Sequence, residues 1–219
     1  MLKCVIFDLD GVLVSTDEYH YLAWKKIADE LGVPFDHNDN MRQRGVSRME
    51  SLEVVLQKCD RNFSESEKLE LATSKNDRYK MFLEQNLDSS CILDGVIDTL
   101  EYLKTNGITI AVGSSSKNAP FILEKTNLGK YMKVVVSGLD ITNSKPHPEV
   151  FLKAGNLSCC EPKECLVVED AQAGVQSGKA AGMQVLAVGA AYDNTQADFR
   201  YHSLSDKTFS WDNIIKGFN

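Results

Sequence analysis

The chain has 219 residues, is 43% hydrophobic and 25% charged, and carries a formal net charge of −7. This is apolar material for one large domain or a core with an insert, and too much for a disordered chain. The acidic balance and the lack of basic runs argue against a nucleic-acid partner. No stretch approaches the ~18 apolar residues of a membrane span.

The N-terminus runs straight into Cys4-Val-Ile-Phe, without the basic region, long apolar segment and cleavage site of a secretory signal. Six cysteines lack metal-ligand spacing, and the adjacent Cys159 and Cys160 are poorly disposed for one zinc. Free thiols and a cytoplasmic location are expected.

The first element is a strand over Val5–Phe7, which delivers Asp8 and Asp10 into a turn begun by Gly11. Residues two apart on a strand share a side, so both acids can face one point. A buried carboxylate pair is costly unless a cation or a shared proton relieves it.

From about Thr16 to Leu87 no buried strand is legible, only helical stretches over Glu18–Leu31, Arg48–Lys58 and Ser64–Phe82. Ser47 with Glu50, and Ser64 with Glu67, have capping-box spacing. Beyond this block, helical stretches at Val96–Lys104, Pro120–Lys125, Pro148–Ala154 and Ala171–Ala181 alternate with apolar runs. Those runs are Thr109–Val112, Val134–Val136, Leu166–Val168 and Val185–Val188. Gly107 and Gly182 stand where helices stop.

The alternation predicts a doubly wound, parallel-sheet (Rossmann-like) α/β core over 1–15 and 88–219, with an inserted helical cap over 16–87. Such a cap would lie above the carboxyl ends of the strands, where ligands bind in this architecture. A strand near Tyr201–Leu204 is too weakly patterned to assign.

Four segments with chemical potential fall at predicted strand ends. They are Asp8 with Asp10, Ser114 in Gly-Ser-Ser-Ser-Lys-Asn, Lys145 in Ser-Lys-Pro-His-Pro, and Glu169 with Asp170. Four carboxylates suit a hard cation, most simply Mg²⁺. A hydroxyl and an ammonium can hold phosphate oxygens, which leaves one carboxylate free to attack phosphorus.

In this order the motifs resemble those of the haloacid dehalogenase superfamily over essentially the whole chain. The resemblance implies Asp8 as nucleophile and Asp10 as general acid/base, with the Asp10 backbone carbonyl also turned to Mg²⁺. Ser114 and Lys145 would hold the phosphoryl group, and Asp170 with Glu169 would complete the protein ligands. An acid two positions after the nucleophile argues against a dehalogenase or a phosphonate hydrolase, leaving phosphatase or phosphomutase.

The segments Thr16-Asp-Glu-Tyr-His-Tyr-Leu-Ala-Trp, Arg44-Gly-Val-Ser-Arg and Ser74-Lys-Asn-Asp-Arg-Tyr resemble the β-phosphoglucomutase branch. So does Ser114-Ser-Ser-Lys-Asn-Ala-Pro-Phe. That branch implies a second phosphate pocket of Arg48, Ser116, Lys117 and Asn118, with backbone contacts from Gly45 and Val46 to the sugar. Lys75 would touch a sugar hydroxyl, and His20 would assist closure and Asp10.

Ser115 and Gly113 depart from the pattern, Gly113 through added backbone freedom. The expected substrate is a small sugar phosphate and the expected state a monomer. A phosphatase, or a non-catalytic phosphate-binding protein on this fold, remains the alternative.

Overall fold

Cys4–Phe7, an unbroken apolar run, forms β1 and is buried at every position, as expected of a strand covered on both faces. The computed structural model describes residues 1–218. After β1 come helices α1 (Asp17–Glu30), α2 (His37–Met41), α3 (Arg48–Leu56) and α4 (Glu65–Asn86). The chain then alternates through α5 (Val96–Thr105), β2 (Thr109–Gly113), α6 (Ala119–Lys125), β3 (Val134–Val136) and α7 (Glu149–Leu157). It ends with β4 (Cys165–Glu169), α8 (Gln172–Ala180), β5 (Gln184–Ala187), β6 (Phe199–Arg200) and α9 (Trp211–Lys216).

The described residues form one six-stranded sheet in the order β3-β2-β1-β4-β5-β6, and every pairing is parallel. The fold is therefore the doubly wound α/β class. The strand order reverses direction at β1, so the crevice beyond the ends of β1, β2 and β4 is where a ligand is expected.

Helices α1, α3 and α4 share an apolar cluster of their own, built around Trp24, Ile27, Leu52 and Val55. Tyr79 and Leu83 of α4 instead join the main core that lines one sheet face. Both expected capping boxes are present, at Ser47/Glu50 and Ser64/Glu67. Gly107 and Gly182 have φ of 69° and 73°, the left-handed turn that closes a helix before a strand.

Locally the structure departs from the sequence pattern in several places. Helix α2 lies between the expected helical stretches, and its sequence His-Asn-Asp-Asn-Met has no apolar period; a capping box on Asp36 starts it. Helix α4 continues four residues past Phe82, and the last strand is Phe199–Arg200, just before the weak Tyr201–Leu204 signal. In the C-terminal segment, Leu204, Trp211, Ile214 and Phe218 close the main core. Gly113 has no left-handed φ; a Cβ there would stand 2.9 Å from the Phe151 ring, so close packing requires it.

All six cysteines are unbridged. Among the described residues no helix is long and apolar enough to cross a membrane.

Candidate active site

β1 and β4 run in register, Phe7 beside Val168, and so deliver Asp8 and Glu169 side by side. The Asp8 backbone N–H donates to the Val168 carbonyl at 2.9 Å and continues the ladder to the acid itself. Lys145 reaches between them, its Nζ donating to Asp8 Oδ1 at 2.5 Å and to Glu169 Oε1 at 2.6 Å. Lys145 and Glu169 are both 0% exposed. Burial alone would lower the Lys145 ammonium, but the two carboxylates overcome it and hold the group above its ordinary value.

Glu169 is locked in turn. Its Oε2 accepts from the backbone N–H groups of Asp170 and Ala171 at 2.9 and 3.0 Å. Gly174 leaves the space it occupies, since a Cβ there would fall 1.8 Å from Oε1. Burial pushes Glu169 up, Asp8 adds to that, and Lys145 opposes it. The value of Gly174 appears only when the Ala-Gln-Ala-Gly segment wraps onto the preceding strand end.

Asp8, Glu169 and Asp170 each present an oxygen within 4.8 Å of the others. Burial pushes Asp170 well up, and the charges on Glu169 and Asp8 push further. Three buried carboxylates with a single lysine bonded among them form a donor set that a hard divalent cation fits, because the cluster supplies oxygen ligands and is short of positive charge.

The expectation of four clustered carboxylates is corrected to three. The Asp10 carboxylate accepts a short hydrogen bond from the Thr16 hydroxyl and lies outside the group. Thr16 begins α1, yet its hydroxyl makes no cap, having been committed to Asp10.

Burial, then the charge on Asp8, raise Asp10 to about 6. The folded state thus binds this proton more tightly than the unfolded chain does. Asp10 supports stability while protonated, and that support is lost as pH climbs from about 4 through 6. In metal-free buffer, Asp10→Asn should stabilise the protein at pH 8 by about 1–2 kcal/mol after allowing for partial solvent screening. The gain should vanish near pH 4. Denaturant unfolding at the two pH values measures it, and an equal gain at both would refute it.

A cavity of about 500 Å³ opens between this sheet edge and the helical block. Ser114 lies on its core side, buried, with its backbone N–H on the Val136 carbonyl at 2.9 Å. Its Oγ accepts from the Ser116 N–H at 3.1 Å, which leaves the hydroxyl proton for a ligand oxygen. Ser116, Lys117, Asn118, Gly45, Val46 and Arg48 line the same cavity. Asn118 donates to Asn76 of α4 at 3.0 Å, a direct tie between sheet edge and helical block. Burial lowers Arg48, and among the described residues no acid forms an ion pair with it.

His20 and Lys75 also line the cavity but are engaged with each other, Nδ1 to Nζ at 2.8 Å. The His20 ring packs against Tyr79 at a tilt of 31° with centroids 4.0 Å apart, and the Lys75 ammonium lies 5.0 Å above Trp24 and 4.6 Å above Tyr79. Burial holds both groups well below their ordinary values. His20 makes no hydrogen bond to Asp10; Thr16 fills that place.

The haloacid dehalogenase-like hydrolase family matches residues 5–188, which spans every strand end described above except the last. The chain belongs to that family.

A β-phosphoglucomutase of Bacillus subtilis is 39% identical over 209 residues, covering 94% of this chain and 92% of the relative. A phosphorylated-carbohydrate phosphatase of Thermotoga maritima is 28% identical over 84% of this chain and 83% of its own. Among solved structures, a β-phosphoglucomutase from Clostridium difficile superposes with a TM-score of 0.92 at 34% identity, covering 100% of this chain and 98% of that one. The protein is thus an enzyme of the haloacid dehalogenase superfamily, similar to phosphomutases and to phosphatases.

Within this superfamily site, sequence reasoning missed Thr16, Asp17, Asn76 and Arg44. The Arg44 guanidinium bridges Asp17 of α1 and Asp170. Only Thr16 had a local signal, a hydroxyl residue just ahead of a helix. The others act across long stretches of chain.

Proposed function

We propose that the enzyme interconverts β-D-glucose 1-phosphate and glucose 6-phosphate through β-glucose 1,6-bisphosphate, with Mg²⁺ as cofactor and Asp8 as phosphoryl carrier. The supporting observation is that anion donors continue around one cavity beyond the group bonded to the acids. Lys145 bonds Asp8, which lines the cavity with Ser114, while Arg48, Ser116, Lys117 and Asn118 line the same space. None of the latter four hydrogen-bonds to the acidic cluster. A hydrolase needs one phosphate grip; an enzyme that turns a bisphosphate end for end needs two.

In this scheme Asp8 attacks phosphorus to form an aspartyl-phosphate, and Lys145 and Ser114 hold the phosphoryl oxygens. Asp10, near neutrality in its proton affinity, gives a proton to the leaving oxygen and takes one from the incoming hydroxyl. Asp8, Asp170 and Glu169, with the Asp10 carbonyl, would hold Mg²⁺, whose charge when bound offsets the repulsion between carboxylate and phosphate. Arg48 would grip the distal phosphate as a planar fork. Gly45 and Val46 would meet the sugar with their backbone, and Lys75 with a hydroxyl.

Residues 16–87 would act as a moving cap over a core of 1–15 and 88–219, closing to keep water from the aspartyl-phosphate. A monomer leaves such a cap free to move, and six unbridged thiols suit the cytoplasm.

A sugar-phosphate phosphatase is the second reading, favoured by the 28% identical phosphatase relative. A coupled assay separates them. Glucose 6-phosphate formed from β-glucose 1-phosphate with bisphosphate primer, and little free phosphate, is the expected result. Stoichiometric phosphate release instead assigns the phosphatase.

A further inference from the structure

Arg44 stands at the boundary between the helical block and the sheet edge. One terminal nitrogen pairs with Asp17, which also accepts from Asn40 at 3.2 Å, so the anchoring carboxylate is itself held. The other, Nη1, lies 3.4 Å from Oδ2 of Asp170. The neighbouring backbone is seated on the sheet edge too. Ser115 Oγ donates to the Gly45 carbonyl at 3.1 Å, and a Cβ on Gly45 would stand 3.0 Å from that of Ala171. Seating of the 44–48 loop therefore carries the guanidinium to Asp170. Its Nε is buried without a partner, so the two ion pairs, not full hydrogen bonding of the fork, hold it there.

The charges around Asp170 account for this. Asp8, Glu169 and Asp170 are buried together, and Lys145 bonds only the first two. Among the described residues, Arg44 is the cation that pairs with the third. A group delivered by a loop is thus doing at Asp170 what a bound cation would do.

We propose that Arg44 stands in for the divalent cation at Asp170, so that seating of the 44–48 loop and metal loading compete for one carboxylate. The inference rests on Asp170 being a metal ligand and is independent of whether a sugar or water accepts the phosphoryl group. Coupling of this kind is reciprocal: the loop weakens the ion's hold, and the ion loosens the loop. A phosphorylated ligand adds negative charge and lets both cations remain, which reserves the closed, metal-loaded state for the occupied enzyme.

The test titrates Mg²⁺ alone into the metal-free protein by calorimetry and follows amide exchange of residues 44–48. Arg44→Gln should bind Mg²⁺ about fivefold or more tighter than the unmodified protein. Arg42→Gln, which removes an exposed arginine paired with Gln57 and Asp39, should bind as the unmodified protein does. Mg²⁺ should speed exchange in the loop of the unmodified protein, whereas the Arg44→Gln loop should exchange fast without the ion. Equal or weaker Mg²⁺ binding by Arg44→Gln, an equal gain in Arg42→Gln, or loop exchange indifferent to Mg²⁺ each overturns the proposal. Failure of every form to bind Mg²⁺ overturns the metal assignment of Asp170 as well.

Discussion

Asp8→Asn is expected to lower turnover by about four orders of magnitude or more, with the fold intact. The amide has nearly the shape of the carboxylate but lacks the nucleophilic oxygen that attacks phosphorus. Lys145 keeps Glu169 as a partner at 2.6 Å, so the buried ammonium is not orphaned. The loss should appear in kcat, under either acceptor, and mass spectrometry should find no phosphoryl adduct on the variant. A retained adduct, or turnover near that of the unmodified enzyme, would remove Asp8 from the mechanism.

Lys145→Met carries the second large effect, and it falls on stability as well as on activity. Among the described residues, Lys145 is the only cation bonded to Asp8 or Glu169. Without it two buried carboxylates face each other, a loss of about 3–5 kcal/mol for an uncompensated buried charge. Adding Glu169→Gln should recover much of that stability, because the like-charge pair is gone, while activity stays absent. The penalty should shrink in acid, where the carboxyls protonate and the repulsion disappears. Metal-free denaturant unfolding of the single and double variants measures both effects. A Lys145→Met protein as stable as its parent at neutral pH would show that the triad is not held by this ion pair.

Asp8 and Lys145 are legible in the sequence. Asp8, Ser114 and Glu169 follow apolar runs that can only be buried strands, and parallel topology brings the carboxyl ends of such strands to one edge. Lys145 was recognisable by its motif after β3, but its place between Asp8 and Glu169 is a tertiary fact. Short-range signals also survived well: the serine–glutamate capping boxes need only four residues of local geometry.

Elsewhere the same local logic failed for identifiable reasons. Helix α2 has five residues without an apolar face, and β6 is two residues at the sheet border, so neither presents a period long enough to detect. Gly113 suggested a flexible backbone, whereas the demand comes from the Phe151 ring on another helix. Asp10 was grouped with the metal acids by its position two residues after Asp8. Its side chain went to Thr16 once the turn after β1 folded back.

By itself, the sequence determined the strand–helix alternation, the edge at which the acids gather, and the family to which the chain belongs, because each depends on local periodicity or ordered motifs. Tertiary structure alone decided that Asp10 answers to Thr16, that Lys75 bonds His20, and that Arg44 reaches Asp170. Those pairs lie 6, 55 and 126 residues apart. Burial makes each unpaired polar group costly, so the partner taken is whichever one the closed fold brings within reach.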